Sequence, residues 1–180
     1  MSEERRHLPG DPQPGAGVAR MLRVDHAGEY GAARIYAGQL AVLRRSDKAA
    51  VLREMQDQER QHLDRFADLI IRRRVRPTAM LPLWHLAGFA LGAATALLGE
   101  RAAMACTVAV EEVIDAHYQR QIEALGDAEP ELKSTLEEFR ANEIEHRDTA
   151  RARGGDTGPM PLSIAIKAGS RLAIWLSTRI

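Results

Sequence analysis

The same unusual spacing of acidic and imidazole residues occurs twice in this chain, and it constrains how its helices must assemble. Glu29 is followed by Glu59 and His62; Glu111 is followed by Glu143 and His146. Each half supplies one lone Glu and then a Glu-x-x-His. Residues three apart on an α-helix project from neighbouring positions on one face, so each Glu–His pair can grip one ion. Two lone Glu and two Glu-x-x-His, directed inward from four helices, form a ligand set for two metal ions. A single Glu-x-x-His in a charged helix is usually a solvated surface pair. Two copies in helices of matching order reverse that expectation, and the two Glu inside the motifs are placed to bridge the ions.

Helix signals dominate the rest of the chain. The stretch from about Val18 to Arg45 is rich in Ala, Leu and Arg, and Ser46-Asp47 marks a turn before a second helix, about Lys48 to Arg74. A third runs from about Glu100 to Leu125 and stops at Gly126; Pro130 opens a fourth that ends before Gly154-Gly155. Such short connections make each pair an antiparallel hairpin, and each hairpin carries one copy of the ligand pattern. The expected fold is all-α: a ferritin-like four-helix bundle of two hairpins, with a long apolar crossover and an extra C-terminal amphipathic helix. The domain is expected over residues 18–180, after a flexible N-terminal arm over residues 1–17.

The crossover, Pro77 to Gly99, contains no charged residue. Its length suits a membrane span, but one crossing here would strand Glu59 and His62 on one side and Glu143 and His146 on the other. We therefore read it as the bundle's crossover, partly buried and partly in contact with a lipid interface. The last segment carries Ile164, Ile166, Leu172, Ile174, Trp175 and Leu176, with Lys167 and Arg171 four apart. Amphipathicity alone does not separate a core helix from one lying on a membrane. Two such segments in one small chain favour peripheral membrane contact.

Composition excludes several classes. Twenty-five basic residues balance twenty-five acidic ones, so no net field attracts nucleic acid. Cys106 is the only cysteine, which excludes an intrachain disulfide and a Cys-x-x-Cys metal site; it is expected in the core. The first residues lack the apolar stretch of a secretory signal, so the expected place is the cytoplasmic face of a bacterial inner membrane, peripherally bound.

Around the candidate ligands, Tyr36 and Tyr118 each follow a lone Glu by seven residues, two helical turns, which selects Glu111 over Glu112. Glu112, Glu145, Asp57 and Asp64 read as outer-face charges or as charges one contact removed from the ligands. His26, His117 and His85 are candidates for supporting contacts to the ligands, although ordinary hydrogen-bonded histidines are the commoner outcome. Asp25 and Asp115, each four residues from a lone Glu, are candidates to orient a metal-bound His.

The blocks RVDHAGEYGAARIYAGQLAVL, QERQHLDRF, AMACTVAVEEVIDAHYQRQI and EIEHRD, with the closing RLAIWLSTR, resemble the demethoxyubiquinone hydroxylases of ubiquinone biosynthesis. The resemblance runs from about Ala19 to the C-terminus. It implies that Glu29, Glu59, His62, Glu111, Glu143 and His146 bind two iron ions. The implied activity is an O2-dependent monooxygenase, a 3-demethoxyubiquinol 3-hydroxylase acting on the ring of a polyprenylated quinone or quinol. It also implies a role for Tyr118 in an electron or proton path. Electrons must come from an external donor, with reduced nicotinamide the family's usual source; no Gly-rich dinucleotide motif is present, so that contact is transient or indirect. A homo-oligomer and an accessory lipid-binding protein are both compatible partners.

Two other readings compete. A ferritin-like iron-storage or peroxide-scavenging protein uses the same ligands but has no use for two lipid-compatible segments. A purely structural or lipid-binding bundle would carry the carboxylates as surface charge.

Overall fold

In the computed structural model, which describes residues 15–180, the described chain is helical throughout with no strand. Six α-helices follow one another: α1 (Ala16–Leu43), α2 (Ala49–Arg72), α3 (Leu81–Leu97), α4 (Glu100–Leu125), α5 (Pro130–Ala152) and α6 (Met160–Ser177). The expected arm falls on residues 1–14, which lie outside the described residues, and on Gly15 to Gly17, where α1 already begins at Ala16. The other boundaries agree with the sequence reading to within a turn. Pro130 occupies the first turn of α5, where its missing N–H costs nothing. Gly126 ends α4 at φ +53°, a backbone conformation that side chains with a Cβ rarely adopt.

The first hairpin, α1–α2, and the second, α4–α5, form the bundle. Between α2 and α5 the contacts are made by side chains: Phe66 packs edge-on against Phe139 at 5.4 Å, and Arg73 holds Glu129 through two hydrogen bonds of 2.8 and 3.0 Å. Two apolar regions fill the bundle. One gathers Leu22, Phe66, Tyr118, Leu132 and Leu136; the other gathers Tyr36, Leu52, Met55, Met104 and Val108. The charged ligand candidates lie between them.

α4 is the central helix. Its run from Ala102 to Val110 is buried on every side because α1, α3, α5 and α6 all touch it. Cys106 sits in that run, fully buried, and burial pushes its thiol up to about 12, so it is an inert core residue as expected.

The crossover helix α3 lies along α1 at very close range. A Cβ added at Gly92 would come within 1.9 Å of the Ile35 carbonyl oxygen, and one at Gly38 within 2.1 Å of that of Phe89. Only glycine lets the two backbones approach so closely. Among the described residues no helix is long and apolar enough to cross a membrane. α6 rests on α4 through Ile166, and Lys167 forms an ion pair with Glu112. Both apolar helices keep large side chains exposed: Leu83 and Leu86 on α3, Ile164, Leu172 and Trp175 on α6.

Candidate metal centre

The structure brings Glu29, Glu59, His62, Glu111, Glu143 and His146 together, all buried, midway along the bundle. They fall into two overlapping sets. Glu29, Glu59, His62 and Glu143 offer ligand atoms that all lie within 4.8 Å of one another, as do Glu59, Glu111, Glu143 and His146. Glu59 and Glu143 belong to both sets, so the motif glutamates stand where bridging ligands would. His62 Nδ1 lies 3.3 Å from Glu29 and 3.2 Å from Glu143; His146 Nδ1 lies 3.2 Å from Glu59 and 3.4 Å from Glu143.

Four carboxylates in one dry space repel one another and need compensating positive charge. Burial pushes the carboxyls of Glu59 and Glu111 well above the usual range, and the charge on Glu143 pushes both the same way. Burial opposes the charge on Glu143 too, but the imidazoles of His146 and His62, 3.4 and 3.2 Å away, outweigh it and hold this carboxyl at about 2. Burial likewise works against a charged His62, yet Glu143 and Glu29 raise it to about 10.

Hydrogen bonding tests whether cations fit there. Both oxygens of Glu59 and of Glu143, one oxygen each of Glu29 and Glu111, and Nδ1 of both histidines make no hydrogen bond among the described residues. Buried polar atoms are rarely left so. These atoms all belong to the two ligand sets, so the cluster fits metal ions. Carboxylate and imidazole donors suit iron and accept manganese as well.

The surroundings cross between the halves. Tyr36 on α1 donates a 2.7 Å hydrogen bond to Glu111 on α4, while Tyr118 on α4 donates to Glu29 on α1. The seven-residue spacing placed each tyrosine on the face of its own Glu; the structure shows it holding the other half's Glu. His146 Nε2 meets Gln58 Oε1, and the amide of Asn142 lies 3.1 Å from His62 Nε2. Sequence reading missed Gln58 and Asn142, although a signal was present: an amide residue stands immediately before each Glu-x-x-His, in QERQH and NEIEH.

The expectation for Asp25 and Asp115 is corrected. Asp25 contacts His117 at 3.1 Å and Gln121 at 2.8 Å, not a candidate metal-bound His. Asp115 is held by Arg140 at 2.6 Å and Arg147 at 3.0 Å, on the outer side of the bundle. His85 pairs with Tyr30 at 2.6 Å, away from the cluster, and His26 leaves its buried Nδ1 unbonded. Thus neither aspartate orients His62 or His146. Asp57, Asp64 and Glu145 are exposed and Glu112 pairs with Arg151 and Lys167, all as expected of outer charges.

An apolar cavity of about 420 Å³ lies between α1, α3, α4 and α6, walled by side chains such as Ile35, Trp84, Leu91 and Leu172. A narrow cleft of about 20 Å³ shares Val24, Gly28, Ile114 and Ile174 with it and is bounded by Asp25, Glu29, His117 and Tyr118. Of the six clustered residues, Glu29 is the one that lines this cleft.

Four long helices delivering four buried carboxylates and two imidazoles to one interior point define a ferritin-like bundle with a cluster able to hold metal. Within that class, the chain belongs to the ubiquinone biosynthesis protein COQ7 family, which matches residues 16–177. It is 60% identical over 176 residues to the 3-demethoxyubiquinol 3-hydroxylase of Rhodospirillum rubrum, covering 96% of this chain and 83% of that protein. It is 52% identical over 170 residues to the NADPH-dependent 3-demethoxyubiquinone 3-hydroxylase, mitochondrial, of Mus musculus, covering 91% and 78%. Its identity to the protein of the same name from Homo sapiens is 51% over 171 residues, covering 92% and 79%.

Proposed function

We propose that this chain is an O2-dependent monooxygenase that hydroxylates the ring of a polyprenylated demethoxyubiquinone or its quinol in ubiquinone biosynthesis. Two iron ions, held by Glu29, Glu59, His62, Glu111, Glu143 and His146, would supply the oxygen-activating redox chemistry. The reaction inserts one oxygen atom of O2 into a ring C–H bond and reduces the other to water, consuming two electrons and two protons. The electrons come from an external donor, with reduced nicotinamide favoured by the names of the mitochondrial relatives.

The observation that carries this reading is the adjacency of a buried carboxylate–histidine cluster to an apolar cavity, in a chain of this family. The cavity suits an isoprenoid tail, whose burial is favourable at about 25 cal/mol per Å². The shared walls Val24, Gly28, Ile114 and Ile174 direct the ring toward Glu29. Tyr118, hydrogen-bonded to Glu29 beside the cleft, is the residue we assign to the electron or proton path. Exposed Leu83, Leu86, Leu172 and Trp175 on the two helices that wall the cavity support peripheral contact with the quinone-bearing membrane. We place that contact at the cytoplasmic face of a bacterial inner membrane. An iron-storage or peroxide-scavenging role leaves the cavity without a use.

Quinone profiling by mass spectrometry after loss of the protein tests the proposal. Demethoxyubiquinone should accumulate, and the intact chain but not Glu59→Ala should restore ubiquinone. An unchanged quinone pool would overturn the substrate assignment.

A further inference from the structure

Each candidate histidine ligand turns Nδ1 toward the carboxylates, so its Nε2 must be satisfied on the far side of the ring. For His146 the partner is Gln58 Oε1; for His62 it is the side-chain amide of Asn142, whose Nδ2 lies 3.1 Å away. Both contacts cross between hairpins: Gln58 lies on α2 and His146 on α5, whereas Asn142 lies on α5 and His62 on α2. Both amides occupy the position immediately before their own helix's Glu-x-x-His.

We propose that Gln58 and Asn142 are positioning residues for the metal pair, each fixing the Nε2–H tautomer of the opposite hairpin's histidine so that Nδ1 offers its lone pair inward. This rests on the di-metal reading above. An imidazole that ligates through Nδ1 carries its proton on Nε2 and needs an acceptor there. Gln58 presents its oxygen directly. The two ends of an amide are exchanged by a half-turn, so Asn142 supplies its oxygen in the same way once a metal occupies Nδ1.

The choice of amides over carboxylates has a chemical consequence. Four ionised glutamates and two divalent ions sum to zero charge, which a buried site tolerates. A carboxylate at position 58 or 142 would add negative charge and make the imidazole more basic. Neutral acceptors orient the rings and leave the reduced, divalent pair balanced. The crossing also ties the hairpins together: each half's histidine is aimed by the other half.

Co(II) titration of the metal-free full-length protein tests this without reference to turnover. Affinity is read by chelator competition, and the loaded protein is followed by proton NMR, in which ligand imidazole N–H protons give strongly shifted, solvent-exchangeable resonances. The wild type should bind two ions and show two such resonances. Gln58→Leu and Asn142→Leu should each weaken Co(II) binding about 10–100-fold and lose one resonance to fast exchange. The resonance lost in Gln58→Leu should be the one missing in His146→Ala, not in His62→Ala. Gln58→Glu and Asn142→Asp should keep both resonances and hold Co(II) more tightly than the wild type; they carry the test if the Leu variants do not fold. Unchanged affinity and resonances in the Leu variants, or no tightening in the acidic ones, would overturn the amide roles while leaving the metal site standing. A wild type that binds no Co(II) would overturn both.

Discussion

α3 and α6 occupy matching places in the two halves of the molecule, yet they are attached by opposite means. Each follows a ligand-bearing hairpin and lies against that hairpin's first helix, α3 on α1 and α6 on α4. α3 is locked by backbone contact at Gly38, Gly88 and Gly92. α6 buries only Ile166 and Ser177 and adds the Lys167–Glu112 ion pair, while Gly169 faces open space. The cavity lies between these two walls. Duplicated ligands therefore come with unequal walls, one packed backbone to backbone and one resting on few buried side chains; the second is expected to open more readily. The cluster shows the same inequality: Glu29 and Tyr118 border the cleft, whereas Tyr36 is packed among Leu52, Met55, Met104 and Val108.

The largest effect that should separate the walls is on stability. Gly92→Ala forces a methyl group into the Ile35 carbonyl, 1.9 Å from its ideal position, and should cost about 3 kcal/mol of unfolding free energy, the upper range for overpacking. Gly169→Ala meets no atom within 4 Å and should instead stabilise the helix by about 0.5–1 kcal/mol. Urea denaturation of both variants reads the difference. Equal effects would mean that α3 and α6 are anchored alike.

A smaller effect should separate the two tyrosines. Each donates a hydrogen bond to a buried glutamate, so Tyr36→Phe and Tyr118→Phe should lower stability to a similar degree. Turnover should distinguish them. Because Tyr118 borders the cleft, Tyr118→Phe should slow hydroxylation roughly tenfold more than Tyr36→Phe, about 1.4 kcal/mol of barrier. Single-turnover product formation with matched iron content measures it. Equal rates would remove the assigned role of Tyr118.

The elements that were legible in the sequence are those governed by local spacing. Helix ends at Gly126 and Pro130, the two Glu-x-x-His motifs and the choice of Glu111 over Glu112 follow from periodicity and backbone chemistry along one stretch of chain. What was not legible depends on which helices become neighbours. Asp25 and Asp115 had a plausible spacing from the lone glutamates, but a spacing along one helix cannot show what faces it from another. His117, Arg140 and Arg147 took those partners. The roles of Gln58 and Asn142 are likewise non-local, since each contacts a histidine eighty or more residues away. The α1–α3 interlock needed glycines at positions 38, 88 and 92 to be matched across helices. For α6, amphipathicity left core and interface equally open; in the structure Ile166 is buried, while Ile164 and Trp175 are 62% and 51% exposed.

The smallest effect concerns the ion pair that helps hold the yielding wall. Lys167 on α6 meets Glu112 on α4, which is also held by Arg151 at 2.5 Å. The charges are partly exposed, so the pair should contribute only about 0.5 kcal/mol. Lys167→Ala should therefore leave global stability nearly unchanged but roughly double the hydrogen-exchange rate of α6 amides, the equivalent of about 0.4 kcal/mol in local opening. α3 amides, held by backbone contact with α1, should not respond. In about 1 M salt, where the screening length falls to about 3 Å, the difference between wild type and variant should shrink. If α3 and α6 accelerated together, the two walls would open as one unit, and the distinction between a fixed and a yielding side of the cavity would fail.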